Sequence, residues 1–145
     1  VHVRRGGNCT NSLEVLAQLL SAGPYRPNVK LHLVTCLPDP QAAATSTILS
    51  SFGERSQDAI DFGHCLYRAG HEEPGSSYII RSGDTGSRTI VNFNGLPEMT
   101  AEEFQRIADA FADHGEGEGC WWHFEVRGSG CLTFGVSRGT GAGHH

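Results

Sequence analysis

The chain has 145 residues, 38% of them hydrophobic, and a formal charge of −5. That length holds one domain's core rather than two, and the mild acidity excludes an electrostatic footprint for nucleic acid. No apolar run reaches the roughly eighteen residues of a membrane span, and Val1-His2-Val3-Arg4-Arg5 lacks the apolar core of a secretion signal, so a cytoplasmic location is expected.

The first residue is not methionine, which fits a fragment, a processed chain or a trimmed one. Five scattered cysteines, Cys9, Cys36, Cys65, Cys120 and Cys131, form no C-x-x-C pair. Reduced thiols are therefore expected, not a zinc knuckle or a disulfide framework. Asn8-Cys9-Thr10 matches a glycosylation sequon, but without a secretion signal it is read as coincidence. The eight histidines are dispersed, and the terminal pair His144 and His145 is a weak metal signal.

In chain order, Arg5-Gly6-Gly7-Asn8-Cys9-Thr10-Asn11-Ser12 leads into a predicted helix over about residues 10–22. Leu13, Leu16, Ala17 and Leu20 mark its buried face, Asn11 and Glu14 a loose capping box, and Gly23-Pro24 its stop. Val29, Leu31 and Leu33 alternate with Lys30 and His32, as in a strand with one wet face. Asp39-Pro40 reads as N-cap and first residue of a second helix, whose Ala42, Ala43, Ile48, Leu49 and Phe52 cover a sheet and which Gly53 ends. Cys65–Arg68 is a short strand candidate. Ser77–Arg81 and Arg88–Phe93 flank a glycine-bearing loop and predict a hairpin.

Thr100 and Glu103 then make a capping box for a helix whose face is Phe104, Ile107, Ala108 and Phe111. Cys120-Trp121-Trp122-His123-Phe124-Glu125 reads as a buried strand ending in a carboxylate. Beyond Arg127, glycine and serine dominate without periodicity, so residues 128–145 are expected to be a disordered tail. Helix, strand, helix, hairpin, helix, strand favours an α/β layered fold with ligands at strand ends.

Three of these segments, in the same order, resemble the ribokinase (PfkB) family of carbohydrate kinases, in its ketohexokinase-like branch. The resemblance spans about residues 4–127. In the glycine-glycine-asparagine segment it implies that Gly7, Asn8 and Asn11 face sugar hydroxyls. Amides suit groups that both donate and accept, although the same two asparagines can simply cap the helix. In Gly86-Ser87-Arg88-Thr89-Ile90 it implies that Arg88 reaches nucleotide phosphates, as a guanidinium fork does well; a solvated arginine beside a turn is the plainer reading. In Trp122-His123-Phe124-Glu125 it implies that Glu125 lies near the sugar, but the family continues Glu-Gly-Arg where this chain has Val126.

The resemblance implies a partial ribokinase-like fold over 1–127. It lacks the first strand with its sugar-binding aspartate and the C-terminal catalytic half. The family's Gly-Ala-Gly-Asp element, which supplies anion-binding amides and a base, has only an echo in Thr140-Gly141-Ala142-Gly143-His144. The family transfers phosphate from ATP to a monosaccharide hydroxyl; ATP and magnesium are implied here, with no magnesium ligand and no catalytic residue assignable. The expectation is a catalytically incomplete kinase-like protein with a monosaccharide and ATP as ligands. A non-catalytic sugar-binding or regulatory module is the alternative. Open sheet edges imply association, as a homo-oligomer, with a full-length kinase, or through an interaction surface on the hairpin.

Overall fold

A computed structural model of the chain describes residues 2–22, 29–112, 120–127 and 130–138. It is a mixed α/β structure. Helix α1 (Asn8–Ala22) precedes strands β1 (Val29–Val34) and β2 (Cys36–Leu37), then helices α2 (Ala43–Ser50) and α3 (Glu54–Gln57). Short strands β3 (Ile60–Asp61) and β4 (Leu66–Tyr67) follow, then the hairpin β5 (Ser76–Arg81) and β6 (Arg88–Phe93). Helix α4 (Ala101–Ala112) and strands β7 (Cys120–Arg127) and β8 (Gly130–Arg138) complete it.

The main sheet has four strands in the order β3-β1-β8-β7. β1 runs parallel to β3, while β8 runs antiparallel to both β1 and β7. Side chains alternate across β1, and both of its faces are covered. Leu31 and Leu33 join Cys9, Leu13 and Ala17 of α1 with Leu37, Phe52, Ile60 and Cys65 in one core. On the opposite face, Val34 packs with Ile107 and Phe111 of α4, and Trp122 closes over them. The rings of Phe104, Phe111, Trp122 and Phe124 meet edge-on between α4 and β7, with centroids 5.1–5.6 Å apart across the elements, a favoured aromatic geometry.

Several expectations change. α1 begins at Asn8, so Asn11 lies within the first turn, its N–H donating to the Gly7 carbonyl at 3.2 Å, and Glu14 pairs with Arg5 instead of closing a capping box. His32 is buried, because α4 covers the β1 face that alternation alone left wet. Asp39 does not cap α2, whose N-cap is Ala42. Its carboxylate accepts from the N–H groups of Gln41 (2.9 Å) and Gly70 (3.1 Å), and these backbone bonds hold its pKa below the ordinary value. Gly53 does not end α2 but is the N-cap of α3, at φ 72°.

β7 is an edge strand, with Trp121 57% exposed, and it continues past Glu125 to Arg127. The stretch expected to be disordered contains β8, which hydrogen-bonds to strands on both sides. The remaining tail positions, with His144 and His145, lie outside the described residues. The hairpin stands as predicted, paired from Ser76↔Phe93 to Arg81↔Arg88. Positions 77–93 are exposed throughout. Among the described residues, no helix is long and apolar enough to cross a membrane.

Candidate functional site

The N-terminal segment is fastened before the helix starts. The Arg5 side chain is only 9% exposed; its guanidinium stacks 3.9 Å above the Phe52 ring and pairs with Glu14. A flat, weakly hydrated cation suits such a stack better than an ammonium would. Gly7 follows at φ 92°, a left-handed conformation that a side chain strongly disfavours. The Thr10 hydroxyl lies 2.7 and 2.8 Å from the carbonyl oxygens of Gly6 and Gly7, tying the glycine pair to the first turn.

With the loop held on both sides, Asn8 projects from the mouth of α1 over the sheet. Its Nδ2 donates to Oε2 of Glu125 at 3.3 Å, across 117 residues of sequence. Glu125 reaches this point because alternation along β7 sends Trp122 and Phe124 toward α4 and leaves Glu125 for the α1 face. On the same face, His123 Nε2 stands 3.6 Å from Glu125 Oε1. The carboxylate therefore sits between an amide and an imidazole, beside the positive end of a helix dipole. Asn11, exposed and three residues beyond Asn8, is its neighbour on the helix surface.

Two segments singled out separately in the sequence thus meet. Gly7, Asn8, Asn11 and Glu125 share one location. Arg88 does not join them: it lies in the β5–β6 sheet opposite Arg81, exposed, with no hydrogen bond or ion pair to that group among the described residues. Val126 continues β7 as extended backbone, and no non-glycine residue takes a positive φ among those described. The turn that glycine would permit after Glu125 is not made.

Chemically, the group offers amide donors and acceptors, carboxylate lone pairs and a ring nitrogen at the surface. This mixture suits hydroxyl-rich ligands. Arg5 and His123 were not singled out as site residues from sequence. Arg5 precedes the glycine pair as a bare cation, and only the fold brings Phe52 beneath it. His123 was legible solely as the residue two before Glu125, on the same strand face. Among the described residues, the grouping of three metal-capable side chains is His32, Asp61 and His64, not the Asn8–Glu125 location.

No family model, no curated protein and no solved structure matches the chain.

Proposed function

We propose that the chain is a ketohexokinase-like member of the ribokinase (PfkB) group, with a ribokinase-like layered fold, and that Gly7, Asn8, Asn11 and Glu125 bind a monosaccharide. One observation carries this reading: Asn8 and Glu125, assigned to the sugar from unrelated stretches of sequence, are hydrogen-bonded to each other. Helices on both faces of the main sheet and a hairpin apart from it are in keeping with such a fold.

The family reaction transfers phosphate from magnesium-bound ATP, in the cytoplasm in this reading. Arg81 and Arg88 stand directly opposite in the hairpin. Like charges directly opposite disfavour each other, and a phosphate bound between them would relieve that, which supports a phosphate role for Arg88. The 145 residues contain no Gly-Ala-Gly-Asp element, so the proposal for this chain alone is sugar binding without turnover. The hairpin, exposed from Ser77 to Phe93, favours the regulatory version of that reading, in which the module associates with a second chain.

The test is thermal stabilisation by a panel of ketoses and aldoses, alongside ADP release with ATP and magnesium. A sugar present at about a hundred times its Kd should stabilise the fold by roughly 2.7 kcal/mol. Asn8→Ala and Glu125→Gln should each abolish the shift, while ADP release stays at background. If no sugar stabilises the chain, or both variants respond like the parent, the sugar-site assignment is wrong. Sugar-dependent ADP release would mean that a base is present, with His144 the first residue to substitute.

A further inference from the structure

His32, Asp61 and His64 reach one point from three places in the fold. The parallel pairing of β1 with β3 sets His32 directly beside Asp61. The chain then turns, and His64 comes back over the same spot with its ring centroid 5.5 Å from that of His32. One ligand atom from each side chain lies within 4.8 Å of the others. His32 Nδ1 and Asp61 Oδ2 are 3.2 Å apart. Two ligands on a tetrahedral zinc ion, with bonds of about 2.0 Å, stand about 3.3 Å apart.

The geometry points to a binding site for a divalent transition-metal ion, with Zn²⁺ as the best match, held by His32, Asp61 and His64 and leaving a fourth position for water. Two imidazoles and one carboxylate suit zinc, cobalt or nickel rather than magnesium or calcium, which take oxygen ligands. The carboxylate is already oriented: Asp61 Oδ1 accepts the N–H of Gly63 at 2.7 Å, leaving Oδ2 on the side of His32. Glycine leaves the carboxylate room to make this close turn, since a Cβ at position 63 would stand 3.0 Å from Asp61 Oδ1.

The histidines are also prepared as ligands. Phe111 packs edge-on against His32 with centroids 5.0 Å apart and lies 4.5 Å from His64, which fixes both ring planes. An ion can enter from solvent, because the Asp61 side chain is 54% exposed and His64 is half-buried. The adjacent thiol is excluded: Cys65 turns inward to donate to the Leu33 carbonyl at 3.2 Å, and burial pushes its pKa up to about 12.

The experiment is Co²⁺ titration of the full chain, followed by visible absorption and by Zn²⁺ competition. It is run on the parent and on the His144→Ala/His145→Ala variant, so that the terminal pair is tested separately. One ion per chain is expected, with tetrahedral cobalt bands, no thiolate charge-transfer band and full retention in the terminal-pair variant. Loss of an orienting partner outside the ligand shell already costs metal sites about 10–100-fold in affinity. Asp61→Asn and His64→Ala, both at accessible positions, should therefore each weaken binding by at least about 100-fold with unchanged circular dichroism. Absence of binding by the parent, undiminished binding in either variant, or loss on removing the terminal pair overturns the site.

Discussion

At the scale of single residues, the glycine pair divides its labour. Gly7 carries φ 92°, whereas Gly6 has no left-handed φ and nothing within 4 Å of a Cβ placed on it. A side chain in the left-handed region costs about 1–2 kcal/mol. Gly7→Ala should therefore lower stability by that amount in urea unfolding, while Gly6→Ala should change it by less than about 0.5 kcal/mol. Equal effects at the two positions would mean that Gly7 is not left-handed in solution. The glycine pair was legible in the sequence as a site of close approach. Which of the two needs to be glycine was not, since φ depends on where Arg5 and Thr10 anchor the loop.

At the scale of elements, α4 is attached to the rest of the fold at its first turn. The capping box forms as expected: Thr100 N–H donates to Glu103 at 2.9 Å, and Glu103 N–H donates to the Thr100 hydroxyl at 3.2 Å. The same carboxylate accepts a two-pronged pair from Arg68 at 2.6 and 2.8 Å. That guanidinium also donates to the carbonyls of Pro97 and Glu98 and to the sulfur of Cys36. The hydrogen bonds from Arg68, and next the Thr100 N–H, hold the Glu103 carboxyl at about 2 against an ordinary 4.5.

A depressed carboxylate pKa stabilises the fold above the unfolded value and loses that contribution as pH falls through the folded one. The urea midpoint should therefore drop between pH 4.5 and about 2, and Glu103→Gln should lower it at neutral pH and flatten that slope. An unchanged slope in the variant would remove Glu103 as the source. The capping box was readable from spacing, but Arg68 was not, because its partner lies 35 residues away.

For the whole molecule, β8 is the strand on which the main sheet depends. It bonds β1 from Val29↔Arg138 to Val34↔Thr133 and β7 from Cys120↔Ser137 to Arg127↔Gly130. A proline in an interior strand removes a ladder donor and splays its neighbours. Val136, opposite Leu31 on one side and Trp121 on the other, is the position to test. Val136→Pro should cost at least about 2 kcal/mol, one lost ladder bond plus the disrupted pairing around it, and should remove amide-exchange protection from β1 and β7. A stability and protection pattern identical to the parent would mean that residues 130–138 do not pair in solution.

Wherever local chemistry decides the outcome, the amino-acid order alone determined it. The apolar faces of α1 and α4, the Thr100–Glu103 cap and the Tyr78–Phe93 hairpin rest on periodicity, capping and turn residues within a few positions of one another. Tertiary structure decided what needs a distant partner. The burial of His32 depends on Phe111, the packing of Arg5 on Phe52, the meeting of Asn8 with Glu125 on the β7 register, and the place of residues 130–138 on open edges at β1 and β7. A glycine-rich stretch has no periodicity of its own to announce a strand; unpaired backbone groups on two neighbouring strands supply the reason for one.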